Sequence, residues 1–195
     1  MAEHLTWPQR VIDKKTLSVG YGKSFAAGGW MLALEAAIKF LNAYLAGKSV
    51  GLAFTKVDDS SHAHVILELD PNRKQLHGQA MLQTTGEGQR EHLQKIVIKL
   101  PEKPRISLID PKARIVGDGV KTCMIVHELI HGIGLDNDFH TSEDVFAEGF
   151  QLLPGQLAAG DKIKRDAKSP AMPPVVISGA TLDKIVKVWP VPAKP

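Results

Sequence analysis

The sequence predicts an α+β domain in which a long helix, several strands and a second, buried helix follow one another. Apolar side chains recur at helical spacing across residues 28–46, which predicts the long first helix. Residues 118–133 carry apolar side chains around most of a helix, so we expect that helix to be buried. Three segments between them have strand-like patterns and lengths: residues 50–57, 64–69 and 93–100.

The composition is that of a soluble globular protein of about one domain. The chain has 195 residues, of which 44% are hydrophobic and 23% charged. Lys and Arg exceed Asp and Glu by 24 − 21 = 3, and this excess is spread along the chain. Because the positive charges form no dense block, the sequence does not favour nucleic-acid binding. Residues 26–45 are the most apolar stretch, but Glu35, Lys39 and Asn42 interrupt it, which indicates an amphipathic helix rather than a membrane span.

Cysteine content and the first residues bear on the compartment. Cys123 is the single cysteine, so a disulfide within the chain is impossible and the fold depends on packing and on any metal. Residues 1–10 contain Glu3, His4 and Pro8 and lack the apolar segment of a signal peptide. We therefore expect no signal peptide here, which leaves the cytoplasm and export by another route both open. The oligomeric state also stays open.

The start of the chain has no clear apolar period. Residues 1–24 are therefore interpreted as an N-terminal extension. Gly22, Lys23 and Ser24 match the end of a phosphate-binding loop, but that loop needs a glycine where this chain has Leu17. We interpret this stretch as a glycine-rich turn.

Shorter elements and helix ends complete the expected fold. Residues 76–83 predict a short strand, residues 143–153 a helix, and residues 181–189 a terminal helix with one apolar face. Asp118 is a suitable N-cap for the buried helix. Gly134 is suited to the left-handed conformation that commonly ends a helix.

The predicted buried helix carries three polar side chains with the spacing of a metal site. His127 and His131 are four residues apart, so they project from one face about one turn, ~5.4 Å, apart. Two imidazoles placed in this way can bind one Zn²⁺ ion. Glu128 lies beside them, where it can take a proton from water and pass it to a leaving amine. The alternative is a pair of core histidines with hydrogen-bonded rings. Three polar side chains on an otherwise apolar, buried helix cost free energy, however, which favours a functional role for them.

Other candidate ligands have simpler interpretations. Cys123 lies one turn before His127, and we interpret it as a small core residue rather than a ligand. His62 and His64 have the spacing of a metal pair on a strand. Nothing nearby completes a site around them, so we interpret both as surface or edge residues.

Residues 127–135 read His-Glu-Leu-Ile-His-Gly-Ile-Gly-Leu, which resembles the start of the metzincin signature H-E-x-x-H-x-x-G-x-x-H. The resemblance implies a zincin-like domain with a twisted mixed sheet, a long first helix, a zinc-binding active-site helix and a C-terminal helix. It also implies a zinc-dependent metalloendopeptidase acting on a peptide or protein. Its substrate would pair with an edge strand near residues 76–83, and neither nucleic acid nor a membrane is an expected partner.

The third zinc ligand is where this chain departs from the signature. The signature places a histidine at position 137, and this chain has Asn137 there. We favour His140, which Thr141 follows, because a site of three histidines leaves a position open for water. The alternatives are Asp138, Asn137, Asp136 and Glu148. A ligand at Glu148 would indicate a gluzincin-like peptidase, and a zinc-stabilised binding or structural module with little turnover is a further alternative.

A second resemblance lies downstream. Residues 170–174 read Pro-Ala-Met-Pro-Pro and resemble the methionine turn of matrix metalloproteinases, which implies that Met172 packs beneath the metal. The expected organisation is a single metallopeptidase domain over residues 1–195. After the extension, residues 25–134 form an upper sub-domain and residues 135–195 a lower one.

Overall fold

The computed structural model describes residues 6–73, 78–86, 91–105, 112, 115–134, 177 and 179–189, and it shows an α+β fold. Its described helices are α1 Gln9–Lys14, α2 Lys23–Ala27, α3 Met31–Gly47, α4 Asp118–Gly132 and α5 Gly179–Val188. Its described strands are β1 Thr16–Tyr21, β2 Ala53–Lys56, β3 Val65–Asp70, β4 Gln79–Thr85 and β5 His92–Pro101.

The described strands form one mixed sheet in the order β2-β1-β3-β5-β4. The first four are mutually parallel, with Val65 of β3 opposite Val19 of β1 on one side and Ile96 of β5 on the other. β4 runs antiparallel to β5 and shifts register between Gln83 and Thr84. β4 therefore lies at one edge of the sheet, where it pairs with β5 along one side only.

The core lies between this sheet and the two long helices. In α3 the buried residues Ala33, Ala37, Leu41 and Leu45 follow the four-residue spacing of one helix face. Helix α4 packs against α3 and is buried around almost its whole circumference, as its apolar sequence predicts. The sheet contributes alternate inward-facing side chains such as those of Leu17, Val19, Val65, Leu67, Ile96 and Ile98.

Several predicted elements are confirmed with shifted bounds. The first long helix and the strand predicted at 50–57 both begin three residues late, at Met31 and Ala53. Residues 64–69 and 93–100 form β3 and β5, each shifted by about one residue. The strand predicted at 76–83 is β4, and the terminal helix predicted at 181–189 is α5. The helix predicted at 143–153 lies outside the described residues.

The description of residues 1–24 as an extension is wrong for the segment that forms β1. β1 pairs with β2 and with β3, so it lies inside the sheet. Residues 20–24 are not a free turn either, since Gly20 and Tyr21 belong to β1 and Lys23 begins α2. A Cβ atom at Gly20 would lie 2.8 Å from the Cα atom of Ser60, so close packing explains this glycine.

The N-terminal end of α4 differs from the prediction, whereas Gly134 lies at its C-terminal end as predicted. Asp118 is the first helical residue rather than the N-cap, which is Gly117, and its carboxylate pairs with Lys121 at 3.5 Å. Gly134 has a φ of +111°, as expected for a glycine that ends a helix. None of the helices in the described part of the chain combines the length and apolar character needed to cross a membrane.

Candidate metal centre

Helix α4 places the three predicted site residues in the interior, near its C-terminal end. Glu128 is 2% exposed and His131 is 5% exposed, whereas His127 is half-buried. The helix brings these polar side chains into an otherwise apolar core because its other faces pack against α3 and the sheet. Burial of a carboxyl group and two imidazoles is costly unless hydrogen bonds or a metal compensate.

The two histidine rings lie side by side. Their centroids are 5.3 Å apart and the ring planes meet at 70°. Two imidazoles that bind one zinc ion tetrahedrally, at ~2.0–2.1 Å per nitrogen, have ring centres ~5 Å apart. The separation of His127 and His131 therefore fits a shared metal ion.

The preferred third ligand and its alternatives lie outside the described residues. This holds for His140, Asp138, Asn137, Asp136 and Glu148. Met172 and its turn also lie outside the described part. Within the described ranges, no group of three or more His, Cys, Asp or Glu side chains could hold a metal ion.

Glu128 is held by the start of the edge strand. The backbone N–H of Gly78, one residue before β4, donates to Oε1 of Glu128 at 2.8 Å. The guanidinium of Arg73 donates to the carbonyl of the same glycine at 2.9 Å. These bonds tie the catalytic candidate on α4 to the edge strand of the sheet.

The surroundings of Glu128 change its acidity. Burial raises the pKa of the Glu128 carboxyl from 4.5 to about 7, while the hydrogen bond from Gly78 and the charge of Arg73 oppose the rise. A carboxyl group with a pKa near neutrality can both accept and donate a proton at physiological pH. Strongly shifted pKa values of this kind are concentrated at functional sites.

A side chain at position 78 would displace Glu128 from its observed position. A Cβ atom there would lie 2.7 Å from Cδ and 2.9 Å from Cγ of Glu128. Real Cβ atoms essentially never approach other atoms this closely. With Glu128 in this position, glycine allows the start of the edge strand to contact the carboxylate.

Two tryptophans bind the C-terminal end of α4. The indole N–H of Trp7 donates to the carbonyl of Gly132 at 3.0 Å, and that of Trp189 donates to the carbonyl of Ile133 at 2.9 Å. The last carbonyls of a helix have no partner within the helix, so these bonds satisfy acceptors that would otherwise be buried unpaired. The turn after His131 is therefore fixed by residues from both ends of the chain.

The other candidate residues have structural roles. Cys123 is fully buried, in agreement with its interpretation as a core residue. The surface interpretation of His64 is wrong: its ring is half-buried and its Nδ1 accepts the backbone N–H of Ser18 at 3.0 Å. This bond joins the start of β3 to β1. This hydrogen bond was not predicted because β1 itself was not predicted.

Sequence reasoning also missed Gly78, Arg73 and the two tryptophans. Gly78 lies within the strand predicted at 76–83, and a glycine inside a strand is a signal for close backbone approach. Nothing comparable marks the tryptophans, since their partners lie 125 and 56 residues away along the chain. No protein-family model matches this chain, and no curated protein sequence matches it.

Proposed function

We propose that this protein is a zinc-dependent metalloendopeptidase with a zincin-like, more narrowly metzincin-like, domain. One observation carries the proposal. A buried carboxyl group whose pKa lies near 7 sits in the same helical turn as two histidines with ring centroids 5.3 Å apart. Each of these features has a separate use in peptide hydrolysis, and the helix brings them together.

The order of the described elements supports the proposed fold. A long helix, α3, precedes four strands of the mixed sheet, and the histidine-bearing helix α4 and the last described helix α5 follow. The resemblance in sequence implies this same order. The buried position of α4 beneath the sheet also suits an active-site helix at the floor of a cleft.

The proposed metal ligands are His127, His131 and His140. The described pair has the separation that a shared ion requires. When bound, zinc supplies a Lewis acid that activates water and polarises the scissile carbonyl. The imidazoles would hold the zinc ion, and therefore its positive charge, close to Glu128. The Glu128 carboxylate itself would not be a metal ligand.

Glu128 moves the proton. Its Oε1 is held by the N–H of Gly78, so Oε2 is the oxygen that we assign to the attacking water. It accepts one proton from that water as the new C–O bond forms. It then gives the proton to the amine nitrogen as the C–N bond breaks, so the carboxylate is regenerated at the end of each cycle.

The outer edge of β4 is the proposed binding surface for the peptide chain. Its inner edge pairs with β5, and no described strand pairs with the outer one. An extended peptide can add to such an edge through main-chain hydrogen bonds. Because Gly78 contacts Glu128, a peptide on this edge would pass directly beside the proposed base.

The test separates metal binding from catalysis. Glu128→Gln should retain one zinc per chain by elemental analysis and should lose cleavage of a peptide library by at least ~100-fold. His127→Ala and His131→Ala should lose both zinc and activity. Glu102→Gln, which changes a partly exposed glutamate away from the two histidines, is the matched control. Full cleavage by Glu128→Gln would refute the mechanism, while zinc retention without any cleavage by the unchanged protein would indicate a structural zinc module.

The third ligand needs its own comparison. His140→Ala should reduce zinc content at equilibrium with a competing chelator, whereas Asp138→Ala and Glu148→Ala should retain it. Three protein ligands are usual in catalytic zinc sites, so loss of one weakens the site strongly. Stoichiometric zinc in the His140 variant would assign the ligand to another residue.

A further inference from the structure

Apart from the candidate metal centre, the described part of the chain also forms a groove. It has a volume of about 510 Å³ and is lined by α1, by the loop before β3, and by the ends of β4 and β5. This volume is in the range of sites that hold a small molecule or several side chains. Trp7, whose indole also binds the end of α4, forms part of its wall.

The groove is lined by positive charges. Arg10 and Lys14 come from α1 and Lys95 from β5, and Lys95 is held in place by a hydrogen bond from Nζ to the carbonyl of Ser61. His62 lines it as well. Among the described lining residues there is no Asp or Glu. The groove therefore attracts anions.

His64 also lines the groove, and its hydrogen bond to Ser18 selects one tautomer of its ring. A backbone N–H can only donate, so the bond from Ser18 shows that Nδ1 of His64 is the acceptor. The ring proton of the neutral imidazole is therefore on Nε2. Burial, and then the charge of Lys14, lower the pKa of His64, so the neutral ring with this donor is favoured.

The edge strand connects this groove to the candidate active site. Gly78, at the start of β4, contacts Glu128, and Thr85, the last residue of β4, lines the groove. The two positions are 85 − 78 = 7 residues apart. At ~3.3 Å per residue they are ~23 Å apart, so an extended peptide on this edge would span them with about seven residues.

We propose that the groove binds a cluster of carboxylates on the peptide substrate, about seven residues from the bond that is cleaved. The ligand class is an acidic peptide segment, and Arg10, Lys14 and Lys95 recognise its charge. The assignment of the acidic peptide as a substrate rests on the proposed peptidase function. The binding of that peptide to the groove does not, because it needs no turnover.

Binding is tested first, on the 195-residue Glu128→Gln protein loaded with zinc, in which no cleavage is expected. The probe is a fluorescein-labelled peptide with four consecutive glutamates, compared with the same peptide carrying glutamines. Anisotropy should show tighter binding of the acidic peptide, weakening with salt. A triple variant, Arg10→Gln with Lys14→Gln and Lys95→Gln, should bind it about tenfold more weakly, as expected for three solvent-exposed ion pairs of ordinary strength.

The matched control removes the same charge elsewhere. Lys39→Gln, Lys48→Gln and Lys187→Gln together change three exposed lysines that do not line the groove. This triple variant should bind the acidic peptide as the parent protein does. Equal weakening by both triple variants would show an effect of net charge and would overturn the groove as the site. Sodium tripolyphosphate binding to the groove without acidic-peptide binding would overturn the peptide assignment.

Cleavage is tested second, on the active protein. Substrates carry the four glutamates about seven residues to the N-terminal or to the C-terminal side of one common cleavage sequence. One of the two placements should lower KM about tenfold and leave kcat unchanged, and the groove triple variant should abolish this gain. If binding is seen but neither placement affects KM, the substrate role is wrong. If no peptide is cleaved while binding persists, the proposed peptidase function fails and the anionic site remains.

Discussion

Substitution of Glu128 by glutamine is expected to stabilise the metal-stripped protein at pH 8 and to have little effect near pH 4.5. The folded protein raises the pKa of this carboxyl from 4.5 to about 7, mainly because the group is buried. Below pH 4.5 the group is protonated in both the folded and the unfolded chain. As pH rises to about 7, the unfolded chain releases this proton first, so stability is lost through that window.

The size of the effect follows from the pKa difference. A rise from 4.5 to about 7 corresponds to about 3 kcal/mol, at about 1.4 kcal/mol per pH unit. Solvent screens the electrostatic effect on this carboxyl group very little, because Glu128 is only 2% exposed. Glutamine has nearly the same shape, and its amide oxygen can still accept the N–H of Gly78.

Urea denaturation in the presence of a chelator measures this difference, with tryptophan fluorescence as the signal. The free energy of unfolding of Glu128→Gln minus that of the unchanged protein should rise by about 3 kcal/mol between pH 4.5 and pH 8. Glu102→Gln, which changes a partly exposed glutamate, should show no such rise. Equal pH dependence in the unchanged protein and Glu128→Gln would refute the claim that burial raises this pKa.

Three further outcomes are expected. Gly78→Ala should displace the Glu128 carboxylate and lower kcat of the proposed peptidase reaction ~10- to 100-fold. Gly179→Ala, where a Cβ atom meets nothing within 4 Å, should not lower it, and equal activity of both variants would contradict the contact. Trp189→Phe leaves the carbonyl of Ile133 without its donor and should cost about 1–3 kcal/mol in urea denaturation, so an unchanged midpoint would count against this bond. Zinc added to the stripped protein should raise its Tm with increasing zinc concentration, and a constant Tm would argue against a site in the folded state.

The elements that the sequence predicted are those with strong local patterns. Helix α3 repeats its apolar residues every three to four positions over 17 residues. Helix α4 is apolar all round, and β5 runs for 10 residues. In patterns of this length, a single residue that does not fit has little influence. The type of these elements was therefore predicted correctly even where their bounds shifted.

β1 shows why a short strand inside a sheet is harder to predict. It has six residues, with Ser18 and Gly20 among them, and two helices of five or six residues adjoin it. Ser18 is satisfied by His64, which lies 46 residues away, and Gly20 is required by Ser60. Both residues suit the strand only once the rest of the sheet is in place.

The candidate site also combines features that follow from local spacing with features that depend on distant residues. His127, Glu128 and His131 belong to one helical turn, so their spacing predicts their mutual placement. The pKa of Glu128 depends on burial and on Gly78, 50 residues earlier, which local spacing cannot supply. The sequence could therefore predict a candidate base but not how its acidity is set.

The environment of Glu128 links stability to function. The burial that destabilises the charged carboxylate by about 3 kcal/mol is also what raises its pKa to the range useful for proton transfer. A core that only needed to be stable would be better served by glutamine or an apolar residue at this position. Instead, the chain positions a glycine to donate to the carboxylate and an arginine to bind that glycine. The burial of this group beside two histidines, with a hydrogen bond that holds it, supports the proposed reaction, in which it gains and loses a proton.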